Sequence, residues 1–357
     1  MIWRVFPLLA AASLALPASA QQVPEDLTVM PPVPADFAPP RTSWGDPDFR
    51  GTFPIDDIAR IPFERLPEYG DRFWLTEAEF AERQGQIEAT EQNTEAAANA
   101  SDRLGFAAFL TANASGRRTS LLVSPVDGKL PELTPDARAK YAAGRSSWTD
   151  GVDFDWTSDF DTFDRCITRG FPATMMPHRY NNGIRVMQAP GHVVIMTEMV
   201  HEARIVPVMA REEMAAQRWP AGTRTWLGQS LGWWDGDTLV IETGNLRTGD
   251  SVDDDHHARG PSPLNLATHG REPWNILPTS PDARVVERIT MTGPDSLVYE
   301  VTYTDPQVFT QPWTARLDWS RDEDYELFEY ACHEGNVQIR NYITASRAER
   351  AAGANGE

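Results

Sequence analysis

His333 and Glu334 stand side by side in YACHEGN, directly after Cys332. An imidazole next to a carboxylate can act as a general base near neutral pH, with the carboxylate fixing its tautomer and orientation. A second concentration of such groups occurs in TEMVHEAR, with Glu198, His201, Glu202 and Arg204. A third, RCITRGFPATMMPHRYNN, carries Arg165, Arg169, His178, Arg179, Tyr180, Asn181 and Asn182, and YACHEGN itself adds Tyr330 and Asn336. Guanidinium and amide donors of this kind hold a developing oxyanion or a substrate carboxylate. The three segments together predict one acid–base site. In it His333 or His201 transfers the proton, and Glu334 or Glu198 orients it or serves as a second acid–base group. Arg169 and Arg204 stabilise the anion, while His178, Tyr180, Asn182, Trp226, Tyr299 and Tyr330 contact the substrate.

Rival chemistries draw on overlapping residues. His178, His201 and His333 with Glu198 or Glu334 could ligate zinc, but the chain has no HExxH, HxH or CxxC spacing, so no metal is expected. DSVDDDHHARG (250–260) reads as a solvated loop, and DGVDFDWTSDFDTFD (150–164) lacks the spacing and glycine of a calcium loop. GQSLG (228–232) matches the G-x-S-x-G nucleophile elbow, which requires a strand, a sharp turn and then a helix. Here a turn and another strand-like run follow Ser230, so a polar position on a strand is the better reading. With no phosphate-binding loop and no dinucleotide fingerprint, the chemistry is expected to need no cofactor.

The groups must be placed by an exported scaffold. MIWRVFPLLAAASLALPASA has the basic start, apolar stretch and small-residue end of a cleavable signal over 1–20, which predicts a periplasmic protein. The formal net charge of −20 argues against nucleic acid and anionic lipid as partners. In an oxidising compartment the two cysteines, Cys166 and Cys332, are expected to pair. That bond would carry Arg165 and Arg169 towards His333 and Glu334.

Residues 21–48 are proline-rich and read as an extended lead-in. Over 49–163 the sequence predicts helical and irregular structure. One polar helix runs from about Leu75 to Ala98 with Thr76 as N-cap, another covers 134–143, and a short strand lies at 119–125. From 164 to 346 ten β-branched or aromatic runs follow one another, from NGIRVMQAP to YELFEYACH and NVQIRNYIT, separated by turn residues. Leu297, Tyr299, Val301 and Tyr303 alternate with polar neighbours, as a half-buried strand does. The expected fold is mainly β, an antiparallel lipocalin-like barrel, with a β-sandwich as the alternative. A disordered tail over 347–357 completes this reading.

WGDPDFRGTF, RCITRGFP, YNNGIRVMQAPGHVVI, GWWDGDTLVIET and WTARLDWSRDEDYELFEYACHEGN together resemble a family of exported bacterial proteins over nearly the whole chain after residue 20. The resemblance implies one folding unit from about Trp44 to Ser346 and carries no assigned activity. The functional expectation therefore rests on the residues. It is cofactor-free lyase, isomerase or hydrolase chemistry on a small apolar or aromatic molecule, with a non-catalytic carrier of a lipophilic compound as the alternative. Trp226, Trp233, Trp234, Trp313, Trp319 and Phe328 are available either for the core or for such a ligand.

Overall fold

The computed structural model describes residues 23–58, 61–100, 116–143, 146–147, 151–178, 180–248, 262–264 and 275–354. The signal-like stretch, Arg179 and the 250–260 loop lie outside these. The described chain is mainly β. Its strands are β1 (Gly51–Pro54), β2 (Leu122–Ser124), β3 (Gly183–Ala189), β4 (His192–Thr197), β5 (Ala203–Pro207), β6 (Gln229–Asp235), β7 (Thr238–Gly244), β8 (Arg284–Met291), β9 (Ser296–Thr304) and β10 (Trp313–Ser320).

They form two antiparallel sheets, of order β1-β3-β4-β5 and β2-β10-β9-β8-β7-β6. No single closed ladder joins them among the described residues. The neighbouring edges nevertheless meet. Val208 and Gly232 form a parallel bridge between the β5 and β6 edges, and the Asp322 amide donates to the Thr52 carbonyl at 2.9 Å beside β1.

One core lies between the sheets, and strand alternation fills it. Leu297, Tyr299, Val301 and Tyr303 of β9 face the same interior as Trp313, Ala315, Leu317 and Trp319 of β10. The register sets small against small and large against large, with Val301 opposite Ala315 and Tyr303 opposite Trp313. Tyr299 stacks on Trp319 at 4.7 Å between centroids, and Tyr303 on Trp313 at 5.3 Å. Such pairs contribute about 0.5–1.5 kcal/mol each beyond the area they bury. The aromatics of these strands are therefore core.

The helices α1 (Glu77–Ala100) and α2 (Pro135–Ala143) form where their caps are encoded. The Glu79 amide donates to the Thr76 hydroxyl, and the Thr76 amide donates back to the Glu79 carboxylate at 2.8 Å, a reciprocal cap. A short helical turn, α3 (Met214–Gln217), precedes β6.

The C-terminal part departs from the expected strands. Residues 325–331 form no ladder, α4 (Cys332–Gly335) is one turn, and α5 (Gln338–Ala354) carries helix into the stretch read as tail, as far as Ala354. Ile339, Ile343, Ser346 and Arg350 are its less exposed positions, a spacing of three and four residues that suits a helix and not a strand. Arg350 pairs with Asp153 and Asp155, and the Ser346 hydroxyl accepts from the Phe154 amide at 3.0 Å, so this helix docks on 153–160.

Candidate functional site

Glu202 and Arg204 are two residues apart, and Glu202 is already extended where it leads into β5. The two side chains therefore leave the same face of the chain. That face looks into the interior, where Arg204 meets Glu287 of β8 and Ser230 of β6. Near Val208 β5 and β6 touch, but near Arg204 and Ser230 they share no ladder. A cleft of about 500 Å³ opens there, lined by Glu202, Arg204, Ile205, Trp219, Trp226, Leu227, Ser230 and neighbours. Its walls are largely apolar and aromatic. Arg247 covers one face of Trp226, its guanidinium 4.5 Å from the ring centroid.

The polar end of the cleft rests on a buried ion pair. Arg204, 5% exposed, donates both terminal nitrogens to Glu287 of β8 at 2.7 Å, and Glu287 is 0% exposed. The Tyr299 hydroxyl donates to the same carboxylate at 2.8 Å. Arg204 also reaches the Ser230 hydroxyl at 3.4 Å, which pairs with Thr243 at 2.8 Å. Phe171 underlies the guanidinium at 4.4 Å. These contacts consume the terminal nitrogens of Arg204, while its Nε makes no hydrogen bond. Burial lowers the affinity of this guanidinium for its proton, but the charge and hydrogen bonds of Glu287, together with Tyr299 and Glu202, more than offset that, and Arg204 titrates above its ordinary value.

Glu202 sits between this pair and the segment 168–176. Burial raises its pKa above the ordinary carboxylate value, against the Thr168 and Thr174 hydroxyls, the Arg169 charge and the Arg169 amide. Its Oε2 is buried and accepts no hydrogen bond. Arg169, 4% exposed, donates one terminal nitrogen to the Met176 carbonyl at 3.1 Å. Its Nε and other terminal nitrogen make no hydrogen bond. Burial lowers its pKa to about 10, opposed by Glu202, Tyr330 and Tyr180. Beyond Arg169, Tyr180 and Tyr330 stack at 6.4 Å, and the His178 ring meets Tyr180 edge-on at 5.2 Å. Burial and the Tyr180 hydroxyl keep the Tyr330 phenol protonated well above its usual range.

The other expected site residues have different places. Glu198, 3% exposed, accepts from Asn181, the Gly183 amide, the Tyr325 hydroxyl and the Phe328 amide at 2.7–2.9 Å. It is a fastener that holds the C-terminal segment on the start of β3. Gly183 permits that approach, since a Cβ there would lie 2.7 Å from Tyr325 and 2.8 Å from Glu198. Asn182 spends its side chain on Asp56, the His178 amide and the His178 carbonyl. Tyr299 lies in the core below the site. His201 is exposed in a turn where Val200 and His201 have φ of 59° and 43°.

The Cys166–Cys332 disulfide is present, with Cα atoms 5.8 Å apart. Asn336 reinforces it by donating to the Asp164 carbonyl at 2.7 Å. Yet His333 and Glu334 are both exposed on α4, while Arg169 turns inwards to Met176 and Glu202. The disulfide thus brings Tyr330 to Arg169 and leaves the His–Glu pair outside. Among the described residues no group of three His, Cys, Asp or Glu side chains is placed to hold a metal.

Glu202 appears in the polar segment but not among the residues expected to react, and Glu287 was missed. Its signal was strand parity, since Val285, Glu287, Ile289 and Met291 share the inward face of β8. An acidic residue in phase with apolar ones calls for a buried partner. None of the described helices is long and apolar enough to cross a membrane. No protein-family model, curated protein or solved structure matches the chain.

Proposed function

We propose that the chain is an exported enzyme that performs acid–base chemistry, without an organic cofactor, on a small apolar or aromatic molecule held in the β5–β6 cleft. Glu202 is the proton-transfer group. The observation that carries this reading is a buried carboxyl with raised pKa, one oxygen of which accepts no hydrogen bond, on a residue that lines a cleft walled by Trp219 and Trp226. A carboxyl moved towards neutral pH is suited to exchange protons with a bound molecule. His333 and His201, the groups favoured by adjacency along the chain, are exposed and stand in no comparable environment. The two sheets are read as a lipocalin-like barrel parted at the β5–β6 seam, with the binding site in the seam and not in the packed interior. The Cys166–Cys332 bond supports an oxidising compartment such as the periplasm.

The test is proton NMR of a library of small aromatic and alicyclic compounds in deuterated buffer with the purified protein. Solvent deuterium entering a C–H position, or a product forming, is expected with the wild type and not with Glu202→Gln. Compounds that bind without any such change would favour the carrier, a reading supported by the exposure of both histidines.

A further inference from the structure

The cleft opens where a proline interrupts a ladder. The Glu202 carbonyl accepts from the Thr197 amide, and the Val208 amide donates to the Gly191 carbonyl, both at 2.8 Å. Even-numbered residues along β5 therefore spend their main-chain groups on β4, while Ala203, Ile205 and Pro207 turn theirs the other way, towards β6. On β6 the Gly232 carbonyl accepts from the Met209 amide at 3.0 Å, beside the Val208–Gly232 bridge. Ser230, two residues earlier, thus presents its main-chain groups to the same seam. In a parallel ladder the next rung would run from the amide of residue 207 to the Ser230 carbonyl. Residue 207 is proline and has no N–H to give. The ladder stops there, and the cleft lies between the two strand edges, with residues of both in its walls.

The polar side chains around this opening are occupied. Gln229 bonds to the Gln217 carbonyl and the Trp219 amide, Thr225 to the Gly228 carbonyl, and Ser230 to Thr243. Behind them Arg204 is matched by Glu287, and Arg169 lies beside Glu202. The accessible surface is apolar, with Ile205 67% exposed and Trp219 40%. An apolar wall next to an edge of main-chain donors and acceptors is the arrangement used in strand addition, where main-chain bonds hold the ligand and the wall takes its side chain. A hydrocarbon would cover the edge groups without bonding them, at a cost in desolvation. We propose that the cleft binds a short, uncharged, extended peptide with an aromatic or aliphatic side chain, its main chain paired with Ile205 and its side chain against Trp219. This names the ligand class of the β5–β6 cleft and rests on the reading above in taking that cleft as the binding site. Its volume of about 500 Å³ limits the bound segment to a few residues.

Four probes of matched body test this on the full chain: N-acetylphenylalanine N-methylamide, its methyl ester, which lacks one N–H, N-acetylphenylalanine, which carries a carboxylate, and propylbenzene. Binding is read by saturation-transfer NMR, and main-chain pairing by the shift of the Ile205 amide in ¹H–¹⁵N spectra. The methylamide is expected to bind best, about tenfold more tightly than the ester, and to move the Ile205 amide. Pro207→Ala supplies the missing donor, so the rung to Ser230 can form and close the seam, and affinity for the methylamide should fall by about tenfold. The ligand series on the unaltered protein is independent of how that variant folds. Equal or tighter binding of the ester, the acid or propylbenzene, or an Ile205 amide unmoved by the bound methylamide, would overturn the peptide assignment. If the methylamide fails to bind while library compounds still exchange protons in a Glu202-dependent way, the peptide assignment falls and the acid–base reading stands. Methylamide binding as expected, with no Glu202-dependent chemistry on any compound, supports the peptide site and overturns the enzyme reading.

Discussion

Replacing Glu287 with leucine should be among the most damaging single changes in the core, and replacing its partner as well should largely repair it. Glu287→Leu leaves the Arg204 guanidinium in a site with 5% exposure and without its counter-ion. Breaking a buried pair in this way costs about 3–5 kcal/mol. The Tyr299 hydroxyl also loses its acceptor, which adds about 1 kcal/mol. The expected loss is therefore roughly 4–6 kcal/mol. In Arg204→Met/Glu287→Leu neither charge remains, and apolar side chains of similar volume fill the space beside Phe171 and Tyr299. Such exchanges are often close to neutral, so the double variant should lie within about 2 kcal/mol of the parent. The coupling energy from the cycle is then at least about 3 kcal/mol. Urea unfolding with the disulfide intact, followed by far-ultraviolet circular dichroism, measures all four members. A Glu287→Leu cost below about 1 kcal/mol, or single costs that simply add, would refute the claim that this pair is desolvated and mutually dependent.

Asp161 lies buried against Ser146 and Ser147, and burial raises its pKa to about 6. A carboxyl with a raised folded pKa binds extra protons in the fold, so its contribution falls as pH rises from about 4 through about 6 and is level above that. Asp161→Asn should therefore gain stability over the parent by roughly 1–2 kcal/mol more at pH 8 than at pH 5, and a pH-independent difference would contradict this. Gly183→Ala should loosen the C-terminal segment, because the added methyl meets Tyr325 and Glu198. Faster hydrogen exchange at the Phe328 amide is expected, and unchanged protection would count against the Glu198 fastener. Reducing the disulfide, which joins residues 166 apart in sequence, should cost about 5 kcal/mol by loop entropy, read as a lower urea midpoint with dithiothreitol.

Eight of the expected strand runs became β3 to β10, because alternation of β-branched and aromatic residues with tight turns leaves few other choices. The disulfide was legible from compartment and cysteine count. YELFEYACH and NVQIRNYIT misled because aromatic content imitates a strand over short windows. The first is held by Glu198 without a ladder, and the second continues into an alanine- and arginine-rich stretch that favours a helix. β1 was hidden in a glycine- and proline-containing stretch, GTFP, which gains its ladder from β3. The division into two sheets depends on contacts distant in sequence. His333 and Glu334 show that adjacency along the chain does not imply a shared buried environment, whereas Glu202 and Arg204, two apart on one extended face, do share one.

Titration of Glu202 itself tests the central claim most directly. Protein labelled with ¹³C at glutamate Cδ, compared with Glu202→Gln, identifies the one carboxyl signal that disappears. The expected midpoint lies above the ordinary glutamate value and changes when a library compound binds in the cleft. A midpoint at or below the ordinary value, insensitive to every bound compound, would contradict a proton-transfer role for this carboxyl.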